Sequence, residues 1–314
     1  MKKIPIIVIV GPTASGKTEL SVNIAKKIGA EIISADSMQI YKNMHIASAA
    51  ADEEEKAGIP HHLLEFLKPE EGFSVADFVK AAADAVADIN GRKRPIVLVG
   101  GTGLYINSFI DNITFSDEPL SAQLRDELNK KYDRVGGEQM LKELSVFDPE
   151  TAQRLHPNNK KRIIRAFELY LSTGNTMTHQ LEESRKAESP YLPYIIGITY
   201  KDREKLYSRI NLRVEKMMEA GLLREAEEAF NRKNAATAAQ AIGHKEFFPY
   251  FSGQISLEEA VEALKMSTRR YAKRQLTWFR RDERVNWIYR DETEDTLAQA
   301  LKILERNGYF EQAQ

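Results

Sequence analysis

IPIIVIVGPTASGKT, residues Ile4–Thr18, decides the fold. Its first seven residues form an unbroken apolar run, the pattern of a strand buried on both faces. The rest fits G-x-x-x-x-G-K-[ST], with Gly11, Gly16, Lys17 and Thr18 in the fixed places. Beyond it, Leu20, Val22, Ile24, Ala25 and Ile28 recur at near-helical spacing, which predicts a helix over 17–28. A glycine-rich loop between a strand and a helix N-terminus turns backbone N–H groups towards an anion, and the helix dipole favours negative charge there. The ligand class is therefore phosphate.

Outward from this unit, residues 1–115 alternate between strand and helix. Strands are predicted at 4–10, 31–34 and 95–100, and helices at 17–28 and 74–90. Such alternation implies a parallel sheet with helices on both faces. From Ser116 the texture changes. Residues 120–187 are polar and helical in pattern, with stops at Gly136-Gly137, Asp148-Pro149 and Gly174. YLPYIIGITY (191–200) reads as a strand again, and helices follow at 202–219, 221–231, 256–264 and 265–280. The expected fold is α/β: a P-loop NTPase-like core of residues 1–117 and 190–314, with an all-helical insertion over 118–189.

The 314 residues allow about two domains, and 42% hydrophobic with 29% charged residues describes an ordinary soluble protein. There is no Cys, which excludes disulfides, zinc ribbons and thiolate catalysis. No signal-peptide pattern and no membrane-spanning apolar run are present. A cytoplasmic protein with no membrane partner is expected. Net charge is −1, but its distribution is uneven. Lys265 to Arg284 reads KMSTRRYAKRQLTWFRRDER, basic with Tyr271, Trp278 and Phe279 interleaved; Lys160, Lys161, Arg162 and Arg165 form a second cluster. One such run alone reads as a solvated helix face. Two runs with aromatics point to an anionic polymer.

Three further features carry chemistry. Asp36 follows the strand EIISA, and ligands of open α/β sheets bind beyond the carboxyl ends of strands. Asp36 should face the same crevice as the phosphate loop, as a metal ligand or proton acceptor; the alternative is a helix N-cap. GGTGLY (100–105) also ends a strand, IVLV, and its glycines let another group approach the backbone while Thr102 offers a hydroxyl. A Walker B acid is missing there, so ATP hydrolysis is not the natural reading. Arg209 and Arg213 share a predicted helix face, either as a phosphate clamp or as solvated partners of Glu204 and Glu215. His61-His62 lack a third ligand at metal spacing and read as structural.

GPTASGKT, ADSMQIY, IPHHL, GGTGLYI, HPNNKKRIIRAFE, QAIGHKE and RRYAKRQLTWFRRD occur in this order. With these motifs the chain resembles the tRNA dimethylallyltransferases, also called tRNA isopentenyltransferases, from about Ile4 to Arg281. DSMQ, GGTGLY and AKRQLTWFR together are highly specific. The resemblance implies transfer of a dimethylallyl group from its diphosphate to the exocyclic amine of the adenosine beside the anticodon in tRNA. It implies Asp36 as general base, with Thr102 and Lys17 in the catalytic centre. Gly11, Thr13, Ala14, Ser15, Gly16, Lys17, Thr18 and Arg213 would hold the diphosphate, and Thr18 and Asp36 would hold Mg²⁺. Binding of tRNA would involve Asp36, Ser37, Met38, Gln39, Thr102, Arg125, Lys161, Arg162, Ile163, Ile164, Arg165, Gln240, Gly243, His244, Lys245, Lys273, Arg274, Gln275, Trp278 and Arg280. The expected assembly is a monomer, and the phosphate loop is expected to be separate from the basic C-terminal helix.

The chain departs from the pattern once. Where relatives commonly read Asp-Ile-Gly-Thr-Ala-Lys-Pro, it has His45-Ile46-Ala47-Ser48-Ala49-Ala50-Ala51, without the Lys and the Pro. With no Cys, no C-terminal zinc finger of the eukaryotic kind is expected, and the chain resembles the bacterial members. Two other readings use the same residues: a P-loop small-molecule kinase, and an RNA-binding protein that only senses nucleotide.

Overall fold

The computed structural model describes residues 3–115, 121–186, 188–232 and 241–312. Six strands, β1 (Ile4–Val10), β2 (Glu31–Ser34), β3 (His61–His62), β4 (Ile96–Gly100), β5 (Tyr191–Thr199) and β6 (Asn286–Tyr289), form one sheet in the order β3-β2-β4-β1-β5-β6. Every pairing is parallel. The α/β expectation holds. β3 and β6 add short edge strands that periodicity does not reveal, because two and four residues are too few to show one.

The sheet is buried on both faces, which is why β1 is apolar throughout. Its even residues Ile6, Val8 and Val10 pack with Ile33, Ile96 and Leu98 under Phe78, Phe109 and Tyr105. Its odd residues Ile7 and Ile9 pack with Ile32, Val97, Ile196 and Ile198 under Leu20, Ile24, Ala300 and Leu304. The first face is covered by α4 (Val75–Gly91) and α5 (Gly103–Ile110), the second by α1 (Lys17–Ile28) and α14 (Thr296–Arg306). Local signals set the ends. Gly16 at φ 93° and Gly29 at φ 70° bound α1, a backbone region that favours glycine. Ser74 and Asp77 make a reciprocal capping box at the start of α4.

One-turn helices α2 (His45–Ser48) and α3 (Glu53–Lys56) lie between β2 and β3. After β5 come α10 (Arg203–Glu219), α11 (Leu222–Asn231), α12 (Phe248–Phe251), α13 (Leu257–Phe279) and, beyond α14, the short α15 (Tyr309–Gln312). The two helices predicted over 256–264 and 265–280 are one, α13. No Gly or Pro separates them, and Ser256 with Glu259 caps the single N-terminus.

The chain divides into two compact units, Met1–Ile110 with Pro190–Gln314, and Asp111–Ser189. The second unit contains α6 (Ala122–Phe147), α7 (Pro149–Arg154), α8 (Lys160–Thr173) and α9 (Met177–Lys186). α6 is interrupted at Gly136, whose φ of 79° and ψ of 164° are non-helical. The core of this unit is Leu128, Met140, Leu144, Ile163, Ile164 and Phe167. Buried Asp148 pins α7 to α9, accepting from Thr151 N at 3.1 Å and Thr178 Oγ1 at 2.6 Å. Among the described residues no helix is long and apolar enough to cross a membrane.

Candidate active site

Three strand ends meet because β4 lies between β1 and β2. Val10 pairs with Gly100, and Ser34 with Val99, so all three strands end level. The loops beyond them carry GPTASGKT, Asp36 and Gly100–Gly103. They are tied together: Ala35 N donates to Val99 O at 2.7 Å, and Thr102 N to Ala35 O at 3.3 Å. A side chain on Gly100 would place its Cβ 2.1 Å from Ala35 O, so only glycine fits.

These loops wall a cavity of about 340 Å³. Thr13, Lys17, Thr18, Asp36, Ser37, Met38, Gln39, Arg213, Lys245, Arg274 and Gln275 all line it. So do Ala47, Ala49, Val214, Met217, Ile242, Leu264 and Tyr271, which give one wall an apolar character. These apolar positions were not foreseen from the sequence. Part of the signal was present: Leu264, Thr268, Tyr271 and Gln275 follow one another at helical spacing along one face of α13.

The phosphate loop has the backbone its motif requires. Ala14 takes φ 62° and Gly16 φ 93°, and a Cβ on Gly11 would meet Ile198 O at 2.2 Å. Lys17 Nζ donates to Pro12 O at 2.8 Å. Burial, then the Arg213 charge, pull the Lys17 ammonium down to about 8; Asp36 opposes them. Arg213 is likewise lowered by burial and supported by Asp36. Lys17 and Arg213, together with Lys245 and Arg274, thus share a partly dehydrated cavity with one carboxylate, Asp36, and the surplus is positive. That balance suits a polyanion.

Lys17 also sets a pH dependence. Its ammonium is the form expected to bind phosphate, present below about 8 and lost as pH rises through that value. Affinity for inorganic diphosphate is therefore expected to be level at neutral pH and to fall above pH 8. Calorimetry at several pH values checks this. Lys17→Ala should remove that step.

Asp36 does not cap a helix of any length. Its Oδ1 accepts from Met38 N at 2.9 Å, fixing the turn after β2. Oδ2 lies 3.7 Å from where a Gly101 Cβ would stand. Thr102 Oγ1 accepts from Ser37 N at 3.0 Å, joining the Asp36 loop to the β4 loop. Tyr271 adds a hydroxyl near Thr102, and burial, then the Asp36 charge, push that phenol well above the usual range. Gln39 bonds to Ser34 Oγ through Oε1 and to Ala49 O through Nε2, holding the divergent 45–51 loop.

The two arginines on α10 part company. Arg213 lines the cavity, whereas Arg209 Nε donates to Ala14 O at 3.3 Å and stacks over Tyr200, bracing the loop from outside. His61 and His62 belong to edge strand β3, with His62 Nε2 2.8 Å from Glu31 Oε2. Among the described residues no group of three or more His, Asp or Glu could hold a metal ion.

The residues expected to touch RNA fall into distinct sets. Lys161, Arg162, Lys245, Lys273, Arg274, Trp278 and Arg280 are exposed, and Arg165 is half-buried. Trp278 covers Gly103, donating from Nε1 to Asn107 Oδ1 at 2.9 Å. Arg274 lies over the Tyr271 ring, 5.6 Å from its centroid. Arg125 is held by a two-pronged pair with Glu168, at 2.5 and 3.0 Å.

Others are not placed to touch RNA directly. Ile163 and Ile164 are 0% and 4% exposed in the helical core, because helical spacing places them with Phe167 on the buried side of α8. His244 is fully buried, with Nε2 2.8 Å from Glu225 Oε1. Glu225 also accepts from Ile46 N and Ala47 N, both at 2.9 Å, so this pair anchors α2. Gly243, at φ 110°, makes room for Ala47. Gln275 is buried and bonded at both ends within the protein. Gln240 lies outside the described residues. The expected separation of phosphate loop and basic helix does not hold, since Gln275 of α13 bonds to Thr13.

Residues 39–282 match the family model described as IPP transferase. The tRNA dimethylallyltransferase of Acetivibrio thermocellus is 48% identical over 91% of this chain and 92% of its own length. That of Bacillus subtilis is 45% identical over 91% of each. Among solved structures, the tRNA isopentenylpyrophosphate transferase of Bacillus halodurans is 41% identical with a TM-score of 0.70, covering 100% of this chain and 97% of that one. A eukaryotic dimethylallyltransferase acting on tRNA is 28% identical with a TM-score of 0.81, covering 98% and 80%. Sheet topology, the three converging loops and these similarities agree: the chain belongs to the IPP transferase family, with the tRNA dimethylallyltransferases.

Proposed function

We propose that the protein transfers a dimethylallyl group from dimethylallyl diphosphate to N6 of the adenosine 3′-adjacent to the anticodon in tRNA, giving N6-dimethylallyladenosine. The observation that carries this reading is a single cavity lined by Lys17 and Arg213 beside the phosphate loop, by Asp36 at the neighbouring strand end and by an apolar wall, with Thr102 tied to the Asp36 loop through Ser37 N. The diphosphate sits against the loop and its two cations. The five-carbon chain lies against Val214, Met217, Leu264 and Ile242. The bond from the allylic carbon to the diphosphate oxygen breaks while the bond from N6 to that carbon forms. Asp36 takes the N6 proton, and the diphosphate leaves with the electron pair. Developing charge on the leaving oxygens is met by loop amides, Lys17 and Arg213 in a partly dry site, where fixed donors act strongly.

The donor set fits a magnesium ion. Thr18 and Asp36 line one cavity without a protein cage around them, and Mg²⁺ characteristically binds through one or two protein oxygens plus substrate phosphates. Bound there, it would neutralise diphosphate charge.

The exposed basic residues of α13 bind the anticodon stem-loop, and Lys161 and Arg162 are a separate set of tRNA contacts on the helical insertion. The proposed assembly is a monomer. Salt dependence tests the α13 part. Removing one side chain that binds a phosphate should flatten the log–log salt slope of tRNA binding by about 0.7–0.9. Lys273→Ala/Arg274→Ala is expected to flatten it by up to twice that, and coincident slopes would show that these residues do not bind phosphates.

Incubation with unmodified tRNA and labelled dimethylallyl diphosphate, and separately with ATP, tests the whole reading. Label in the tRNA is expected. ATP turnover without it would favour a kinase, although β4 ends in Gly100 where that chemistry would place an acid.

A further inference from the structure

Gln275 is 5% exposed although its neighbours Lys273 and Arg274 face solvent. Its amide bridges two loops of the site: Oε1 accepts from Thr13 N at 2.9 Å, and Nε2 donates to Gly101 O at 3.0 Å. A Cβ on Gly101 would lie 2.1 Å from that Nε2, so the second glycine of GGTG is the space the amide occupies. The N–H that Gln275 holds belongs to the peptide unit joining Pro12 and Thr13. The carbonyl of the same unit, Pro12 O, accepts from Lys17 Nζ at 2.8 Å. A trans peptide is planar, so its N–H and C=O point in opposite directions and turn together. Fixing the N–H therefore fixes the oxygen that orients the lysine.

We propose that Gln275 is a positioning residue that sets the Pro12–Thr13 peptide plane and, through it, Lys17 on the diphosphate. This rests on reading residues 11–18 as the diphosphate cradle. It replaces the expectation that Gln275 touches tRNA, because both ends of its amide are already engaged. It also makes α13 a part of the catalytic centre: its outer face carries the basic residues while its inner face holds the phosphate loop.

Calorimetry with inorganic diphosphate and Mg²⁺ tests this on wild type, Gln275→Met, Lys17→Ala and the double variant. Methionine keeps the length and removes both hydrogen bonds; Gln275→Leu serves as a second variant at the site should the first not fold. Loss of one such bond predicts a fall of about tenfold in diphosphate affinity. In the Lys17→Ala background the same substitution should cost almost nothing further, since residues acting through one group are not additive. Binding of tRNA alone should stay close to that of wild type. In transfer assays KM for dimethylallyl diphosphate should rise while KM for tRNA stays. An equal loss with and without Lys17, or a loss in tRNA affinity with diphosphate affinity unchanged, overturns the proposal. If wild type binds diphosphate but transfers nothing to tRNA, the transferase reading fails, and the coupling between Gln275 and Lys17 is still decided by the calorimetry.

Discussion

Asp36→Asn and Asp36→Ala are each expected to lower the transfer rate by about 10²–10⁴-fold, the usual contribution of a positioned general base. The amine of adenine is a poor nucleophile because its lone pair is drawn into the ring, so losing the acceptor for its proton should be felt in the chemical step. The two variants separate chemistry from structure. Asparagine keeps an oxygen to accept from Met38 N, the bond that shapes the turn after β2, whereas alanine removes it. Both should show an unchanged far-ultraviolet circular dichroism spectrum, since β2 ends before Asp36 and its register with β4 does not involve the side chain. Single-turnover rates of label transfer to tRNA are the measurement. An Asp36→Asn enzyme with near-normal turnover would remove the carboxylate from the mechanism.

Lys17→Ala should cost about 10²–10³-fold in rate, the range found when one fixed donor to a developing oxyanion is deleted. The affinity for dimethylallyl diphosphate should fall as well, because the ammonium meets charge already present on the bound substrate. Its depressed value of about 8 reflects burial beside Arg213, which diphosphate relieves by bringing negative charge. Deleting Lys17 leaves Arg213 as the remaining buried cation of the pair. Transfer kinetics at saturating tRNA, with dimethylallyl diphosphate varied, separate the two effects. Unchanged KM and kcat would contradict the assignment of the loop.

The core was legible because its determinants are local. A both-faces-apolar strand, a glycine-bounded loop and a helix of 3.6-residue period are contained within Ile4–Ile28, and the parallel sheet follows from repeating that alternation. Asp36 and GGTG were legible for the same reason, as polar residues at the carboxyl ends of apolar strands. What only the tertiary structure decided are the pairings across long stretches of chain. Gln275 reads as one more polar residue in a basic run, yet it meets Gly101 across 174 positions and Thr13 across 262. Ile163 and Ile164 sit inside a basic motif, but the helical period turns them into the core. His244 stands in a polar motif and is buried against Glu225, 19 residues earlier. β3 and β6 exist because neighbouring strands supply their hydrogen-bond partners, not because two to four residues prefer to be extended. Sequence pattern tells which face of an element is apolar. Which residue a polar side chain will meet is set by the packing of elements far apart in the chain, and in this protein that packing places the inner face of α13 in the cavity beside the phosphate loop.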